Sequence, residues 1–281
     1  DTDNQVLTLN QGYTNATTVV LATYLGGDST DPADGVTNTM ANIELTVVAE
    51  SRGIDTELTL TGGTGNDTLQ LYPMGVSGTD GGNEYANTDE LADAVTGFES
   101  ITILDNPVAN LATSIDLGAY DPGTGKNITI DASALDLLDA ALTIDASGVT
   151  ASATTGKQIT FTGGDNATKF TGGQDDDTIT TGASADTVGG TAGSDVISTG
   201  GGNDSIDGGT GNENINAGAG NDTIDLAGNL TALDTVDGGD GTDTLVSSVA
   251  ISSATMLGGI SNVEIISLEG VSATLAANVG P

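Results

Sequence analysis

The sequence contains no cysteine, no histidine and no tryptophan among its 281 residues. Without cysteine, the chain has neither disulfide bridges nor thiolate ligands for a metal. Without histidine, it has no Ser-His-Asp triad, no histidine general base and no His-ligated zinc site. Paired carboxylates can cleave glycosides, but aromatic residues, which usually form the platform for a sugar, make up only 3% of the chain. We therefore expect a protein that is not an enzyme.

Basic side chains are also scarce. Only Arg52, Lys126, Lys157 and Lys169 stand against 40 acidic residues, which gives a formal net charge of −36. Such a surface repels a phosphate backbone, so we exclude a nucleic-acid partner and expect cations from outside to balance the charge. No apolar run approaches the ~20 residues that span a bilayer, which argues against membrane insertion. The chain begins with neither Met nor a signal-peptide pattern, so we expect Asp1 to be an internal cut or a processed start.

Glycine, by contrast, is abundant, and much of it falls in a nine-residue repeat. From Gly163 to Asp225, seven nonapeptides follow without insertion: GGDNATKFT, GGQDDDTIT, TGASADTVG, GTAGSDVIS, TGGGNDSID, GGTGNENIN and AGAGNDTID. After an interruption at 226–228 the pattern resumes as NLTALDTVD and GGDGTDTLV, and an isolated copy, GGTGNDTLQ, lies at 62–70. A short fixed period predicts a solenoid of stacked repeats. The steady recurrence of Leu, Ile and Val argues against the alternative of a disordered acidic tail.

Each nonapeptide has a turn half and a strand half. The eighth position is always apolar and is flanked mostly by polar residues or Gly, which predicts a very short strand with one inward side chain. The first six positions are rich in Gly, which permits tight turns with positive φ. In the last six of the seven nonapeptides the sixth position is acidic: Asp177, Asp186, Asp195, Asp204, Glu213 and Asp222.

Stacked repeats would place these carboxylates in columns at the strand spacing of about 4.8 Å, where like charges repel. Calcium would resolve the conflict, because it accepts about 6 to 8 oxygen ligands from carboxylates and main-chain carbonyls. If two nonapeptides form one coil, an ion should bridge loop n and loop n+2. The alternative is that the acidic residues only terminate turns, but turn chemistry does not require Asp at the same place in successive repeats. The expected stacks are Asp186, Asp204 and Asp222 on one edge, and Asp177, Asp195 and Glu213 on the other.

The nonapeptides resemble the GGxGxDxUx repeats of the RTX family of calcium-binding proteins, which are exported by type I secretion. The best matches are GGTGNDTLQ and GGDGTDTLV. The resemblance implies a parallel β-roll whose Asp and Gly-rich turns bind several Ca2+ ions. The sequence departs from the pattern at Thr168, where we expect no complete site, at Glu213, which is longer by a methylene, and at Asp175, which adds a carboxylate or strains the turn. The ligands that the resemblance implies are Asp67, Asp177, Asp186, Asp195, Asp204, Glu213, Asp222, Asp243, Gly173, Gly193, Gly200, Gly202, Gly209, Gly211, Gly218 and Gly220.

A longer period precedes the array. Isoleucines separated by 14 or 15 residues recur in similar phrases such as TIDAS, at Ile101, Ile115, Ile130, Ile144 and Ile159. We expect each unit to be one β-helix coil with each Ile stacked on the next, and the alternative is a sandwich of ordinary strands. The predicted fold class is all-β, a parallel β-solenoid or β-helix that continues into a calcium-binding RTX β-roll. The predicted domains are an irregular parallel β-helix at 1–162 with one RTX-like turn at 62–70, the β-roll at 163–246, and a C-terminal strand cap or the start of a further coil at 247–281.

A third phrase places a Glu after an apolar residue and beside a strand-like run. It recurs as MANIELTVV, TGFESITIL and ISNVEIISL. Together with the repeats, it resembles the S-layer proteins of certain Gram-negative bacteria, which are calcium-dependent and type I secreted. This resemblance implies an extracellular protein of the bacterial cell surface that folds on binding Ca2+ and assembles with copies of itself into a lattice, with cell-surface polysaccharide as a further partner. The alternatives are a stalk segment of a large RTX adhesin and the calcium-binding export module of a secreted hydrolase.

Overall fold

The computed structural model describes residues 44–47, 60–61, 66, 68–71, 95–104, 113–123, 125–136, 141–150, 157–226, 228–251 and 253–271. This part of the chain is almost entirely short strands, with one 3-10 helix at Ala254–Leu257. It contains no helix long and apolar enough to cross a membrane. In chain order the strands are β1 Glu44–Val47, β2 Leu60–Thr61, β3 Thr68–Leu71, β4 Val95–Thr96, β5 Ser100–Ile103, β6 Thr113–Asp116, β7 Ile128–Asp131, β8 Leu142–Asp145, β9 Ile159–Thr162, β10 Thr168–Thr171, β11 Thr178–Thr180, β12 Thr187–Gly189, β13 Val196–Ser198, β14 Ser205–Asp207, β15 Asn214–Asn216, β16 Ala219–Gly220, β17 Thr223–Asp225, β18 Thr235–Asp237, β19 Asp240–Gly241, β20 Thr244–Ser247, β21 Ile260–Ser261 and β22 Ile265–Leu268.

Two long sheets account for most of these strands. One has ten strands in the order β1-β3-β5-β7-β9-β11-β13-β15-β18-β21, and the other has eight in the order β22-β20-β17-β14-β12-β10-β8-β6. Neighbouring strands in both sheets are parallel. The predicted all-β parallel solenoid is therefore confirmed, and the sandwich alternative is excluded because its strands would be antiparallel.

Successive nonapeptides alternate between the two sheets. Ile179 lies beside Ile197, and Val188 lies beside Ile206, so each strand pairs with the strand of the repeat after next. Two nonapeptides thus complete one coil, as predicted. The interruption at 226–228 leaves this pairing intact, because β15 still pairs with β18 and β17 with β20.

The prediction that each Ile of the 14–15-residue period stacks on the next is wrong. Ile101 lies beside Ile130, and Ile115 lies beside Ile144, so each isoleucine skips its nearest successor along the chain. The cause is the same alternation between sheets as in the nonapeptides, because each unit forms half a coil. Ile159 is displaced further, since Ile128 is its neighbour in the stack.

The core is thicker before the array than within it. Strands β7, β8 and β9 each bury two side chains, whereas a nonapeptide strand such as β11 buries one. The rings of Phe161 and Phe170 are stacked at the junction, with centroids 4.3 Å apart. Because each large apolar side chain contributes about 1.5–3 kcal/mol when buried, the early coils gain more from apolar packing per strand than the array does.

Both sheets run across residue 163 without a break, since β9 pairs with β7 and β11 in one sheet and β10 pairs with β8 and β12 in the other. The strand of the isolated repeat, β3, lies in the same sheet between β1 and β5. At the other end, β21 and β22 add one strand to each sheet after the last nonapeptide. The domain boundaries themselves stay a prediction.

Candidate metal centre

The carboxylates at the sixth repeat position stack in two columns, one along each edge of the solenoid. Within a column, each carboxylate accepts a hydrogen bond from the main-chain N–H of the column member two repeats earlier. Asp195 Oδ1, for example, lies 2.8 Å from Asp177 N, and Asp204 Oδ1 lies 2.8 Å from Asp186 N. The first column contains Asp177, Asp195, Glu213 and Asp234, and the second contains Asp186, Asp204, Asp222, Asp243 and Glu264.

Each column continues a stacked row of uncharged side chains from the preceding coils. Ile159 N donates to Asp177 Oδ1 at 2.8 Å, so the first column continues the inward row of Ile128 and Ile159. Thr168 N donates to Asp186 Oδ1 at 2.7 Å, so the second column continues a row that passes through Thr168. Carboxylates therefore occupy, in the array, the inward positions that aliphatic side chains fill in the preceding coils.

The second oxygen of most of these carboxylates is buried without a hydrogen-bond partner. These side chains are almost completely buried, and Asp195 and Asp243 are 0% exposed. A buried polar atom that lacks a partner costs about 1–3 kcal/mol, and more when it carries charge. The atoms concerned are Asp186 Oδ2, Asp195 Oδ2, Asp204 Oδ2, Glu213 Oε1, Asp222 Oδ2 and Asp243 Oδ2.

The turns beside these oxygens leave no space for a Cβ atom. Gly202 and Gly220 have φ of 127° and 142°, and a Cβ on Gly220 would overlap the carbonyl oxygen of Gly202. Stacked turns therefore place the carbonyl of one turn directly against the glycine of the turn two repeats ahead, as only glycine allows. Of the other glycines that the resemblance implies as ligands, Gly173 does not have a positive φ. The remaining ones do, and they are Gly193, Gly200, Gly209, Gly211 and Gly218.

Carboxylate and carbonyl oxygens converge at the first position of the turn. An ideal Cβ on Gly190 would contact Asp195 Oδ2 and would lie 2.6 Å from the carbonyl oxygen of Gly208, in the turn two repeats ahead. Among the described residues, no three His, Cys, Asp or Glu side chains could hold a metal by themselves. The geometry instead fits a hard cation that takes carboxylate and carbonyl oxygens together, which is the ligand preference of calcium.

Not every turn in the columns is open to a cation. Gly173 N donates to Asp177 Oδ2 at 2.7 Å, and Thr231 N donates to Asp234 Oδ2 at 2.6 Å. Asp175, which replaces a turn glycine, accepts the main-chain N–H of Lys157 at 2.7 Å and has no positive φ. In these two turns main-chain N–H groups satisfy the carboxylate oxygen that is unpartnered elsewhere.

The structure brings together the predicted carboxylates of the array, whereas Asp67 lies outside the described residues. Their role as ligands stays a prediction, as does that of the glycines. The columns also contain Asp234 and Glu264, which the sequence reasoning missed. Asp234 is at the sixth position of NLTALDTVD, and Glu264 is the Glu of ISNVEIISL, so a signal for each was present in the sequence.

Burial raises the pKa of the six column carboxylates from Asp177 to Asp222. Desolvation, with a further contribution from neighbouring carboxylates, raises the pKa of Asp195 to about 8 and that of Glu213 to about 7. Desolvation likewise raises the pKa of Asp177 and Asp204 to about 6. The metal-free fold thus favours protonated carboxylates at a pH where the unfolded chain is ionised.

The metal-free array is expected to be most stable at about pH 4, to lose stability as the pH rises and finally to unfold. A raised folded-state pKa contributes stability below the unfolded pKa of 3.8, and that contribution is lost as the pH passes through about 6 for Asp204 and about 8 for Asp195. Circular dichroism of EDTA-treated protein between pH 4 and 9 measures this loss. An array whose stability in EDTA increases from pH 5 to pH 8 would contradict the expectation.

Comparison with known proteins agrees with this geometry. The model of the RTX calcium-binding nonapeptide repeat matches in four copies, at residues 59–71, 162–197, 189–224 and 233–248. No curated protein and no solved structure was found to match the chain. The matched segments include the carboxylate columns from Asp177 to Asp243, so the chain carries RTX calcium-binding nonapeptide repeats, which bind several Ca2+ ions.

Proposed function

We propose that this chain is a calcium-dependent structural protein of a bacterial cell surface, which folds its repeat array after secretion and then assembles with copies of itself. The observation that carries the proposal is the set of buried carboxylate oxygens without hydrogen-bond partners, such as Asp195 Oδ2 and Asp243 Oδ2. Once these carboxylates ionise, an array built in this way is stable only when a cation replaces the missing partners.

Calcium concentration would then determine where the array folds. A ligand that binds only the folded form stabilises it by RT ln(1 + [L]/Kd), about 2.7 kcal/mol for each site at a concentration 100 times the Kd. Cytoplasmic calcium is too scarce to supply this stabilisation, whereas extracellular calcium is abundant. Proteins with such repeats are typically secreted, which supports an extracellular location.

A structural role fits the chemistry of the chain better than catalysis. The sequence has no His and no Cys, and calcium binding would account for the buried carboxylates of the array without a catalytic role. The outward positions of the array strands are mainly Thr, Ser and Asn, for example Thr178, Ser205 and Asn214. Rows of hydroxyl and amide groups of this kind support cell-surface polysaccharide as an additional partner.

Assembly through calcium follows from the charge. A formal net charge of −36 makes copies of the chain repel one another unless cations bind between them. Calcium in excess of the folding sites would neutralise acidic side chains on neighbouring copies and bridge them. The resemblance to S-layer proteins supports an ordered lattice as the product.

Titration of metal-stripped protein with Ca2+ tests the proposal, with size-exclusion light scattering and negative-stain electron microscopy as readouts. We expect folding to be followed by growth into regular sheets or tubes that EDTA disperses. Mg2+ at the same ionic strength serves as the control for charge screening, because it needs near-ideal octahedral geometry and gives up water reluctantly. A folded protein that stays a monomer at millimolar Ca2+ would overturn the lattice and favour a stalk segment of an adhesin or an export module.

A further inference from the structure

The last carboxylate of the nonapeptides faces the chain that follows the array. Asp243 Oδ1 accepts the N–H of Asp222 at 2.8 Å, as its equivalents do in earlier repeats. Asp243 Oδ2 has no hydrogen-bond partner, and the side chain is 0% exposed. In the turn of Asp195, an ideal Cβ on Gly190 would meet both the corresponding oxygen and the carbonyl oxygen of Gly208, which lies in the turn two repeats ahead. Asp243 Oδ2 therefore points to a position beyond the last repeat.

A short turn between β21 and β22 occupies that position. It consists of residues 262–264 and has no GGxGxD sequence, but it connects the strands that pair with β18 and β20, as the turn at 238–243 connects β18 and β20 themselves. An ideal Cβ on Gly238 would overlap the carbonyl oxygen of Asn262 and would lie 2.8 Å from Asp243 Oδ2. The carbonyl oxygen of Asn262 therefore has the same position relative to Asp243 Oδ2 as the carbonyl oxygen of Gly208 has relative to Asp195 Oδ2.

Glu264 repeats the second feature of the columns. Its Oε2 accepts the main-chain N–H of Asp243 at 2.9 Å, the contact that joins successive carboxylates throughout the array. Asn262 has a φ of 50°, in the left-handed region where the turn glycines of the array also lie. The turn at 262–264 therefore reproduces both the carboxylate and the carbonyl of a calcium-binding turn, although it has half the length.

We propose that the carboxylates of Asp243 and Glu264 and the main-chain carbonyl of Asn262 form a further calcium site, which closes the C-terminal end of the array. All three groups are hard oxygen ligands, and the buried unpartnered oxygen of Asp243 is directed at the site. The site goes beyond the cell-surface proposal and depends only on calcium binding by the repeats.

Two properties distinguish this site from those between pairs of complete turns. A three-residue turn supplies fewer carbonyls than a six-residue turn, and Glu264 is exposed, so water completes the coordination. We therefore expect the weakest affinity in the series. The bound ion joins the turn before β20 to the turn before β22, so that calcium holds the last strand of the eight-stranded sheet in place.

The test compares E264Q with E269Q in the otherwise unchanged chain. Glutamine retains an oxygen that accepts the N–H of Asp243, so E264Q removes the charged ligand and keeps the structural hydrogen bond. Glu269 lies in the same C-terminal segment, where only its main-chain N–H is hydrogen-bonded, to Ser247 O at 3.0 Å. Both variants lose one negative charge. We expect E264Q to bind one Ca2+ fewer than the wild type and E269Q to bind the same number. Isothermal titration calorimetry and inductively coupled plasma mass spectrometry measure the number of bound ions.

Hydrogen exchange provides a second readout. In the wild type and in E269Q, Ca2+ should slow exchange in β22, and in E264Q it should not. An E264Q protein with the wild-type ion count and the wild-type protection of β22 would overturn the site. If E264Q does not show the circular dichroism signal of a β-sheet in Ca2+, the E264D variant replaces it in the test. Its carboxylate is shorter but still charged, so we expect E264D to retain the ion. A folded E264D protein that has lost this ion would also overturn the proposal.

Discussion

Excess EDTA at pH 8 is expected to unfold residues 172–248 and to leave the coils of β5 to β9 folded. The two sections differ at equivalent inward positions, where Ile128 and Ile159 give way to Asp177 and Asp195 along one edge. Aliphatic side chains need no cation, and each contributes about 1.5–3 kcal/mol when buried. Buried carboxylates that are ionised and lack partners are unfavourable by a similar or larger amount.

The early coils also contain their own cations. Lys126 Nζ lies 3.0 Å from Glu99 Oε1, and Lys157 Nζ lies 3.4 Å from Asp121 Oδ1. No basic residue follows Lys169 in the sequence, so residues 172–248 have only external cations available. The sections thus differ both in core packing and in charge balance.

Hydrogen exchange with mass spectrometry measures the two sections separately. We expect EDTA to abolish amide protection in β11 to β20 and to preserve it in β7 and β9. Added Ca2+ should restore the lost protection, and Mg2+ at the same ionic strength should not. If protection is lost in both sections, or in neither, the change from aliphatic to carboxylate side chains does not determine which part of the chain needs calcium to stay folded.

The nonapeptides were predictable from the sequence because their period fixes both the strand and the register. Nine residues hold one inward apolar side chain and one turn, so the pairing of Ile179 with Ile197 follows from counting. The 14–15-residue period was less informative. Its isoleucines have the same spacing whether a unit is a whole coil or half a coil. Which of the two applies depends on whether the next unit enters the same sheet or the opposite one, and the pairing of Ile101 with Ile130 shows that it enters the opposite sheet.

The candidate site was only partly predictable, for a related reason. Membership of a column depends on the position in the stack, and Glu264 reaches its column through a turn that has no repeat sequence. The state of a turn depends on main-chain angles: Gly173 and Gly200 occupy the same repeat position, but only Gly200 has a positive φ. The N–H of Gly173 consequently satisfies Asp177, a contact that a consensus pattern does not reveal.

The substitution D195N is expected to change stability in opposite directions with and without calcium. Asp195 Oδ1 accepts the N–H of Asp177, a contact that the oxygen of asparagine retains. An ideal Cβ on Gly190 would meet both Asp195 Oδ2 and the carbonyl oxygen of Gly208, so we expect the NH2 group of asparagine to donate a hydrogen bond to that carbonyl. The substitution thus supplies a partner for a buried atom and removes a negative charge from between Asp177 and Glu213.

Without calcium, these changes stabilise the array. The pKa of Asp195 is raised to about 8, chiefly by burial, so its ionisation opposes folding as the pH approaches that value. In D195N this contribution is gone, and the pH at which the EDTA-treated array loses its sheet signal should move upward. With calcium, the variant lacks a charged ligand, and removing one member of a buried charge pair costs about 3–5 kcal/mol. The calcium concentration needed to fold the array at pH 8 should therefore rise by tenfold or more, since about 1.4 kcal/mol corresponds to a factor of ten.

The matched control is D207N, in the same array but on the outer face. Asp207 is exposed, and its Oδ1 accepts the N–H of Gly209 at 3.0 Å, a contact that asparagine also retains. Because the loss of charge is the same in both variants, D207N should shift neither the pH midpoint in EDTA nor the calcium midpoint by a comparable amount. If D195N is destabilised both in EDTA and in Ca2+, Asp195 supports the fold through packing and its buried oxygen is not a cation ligand.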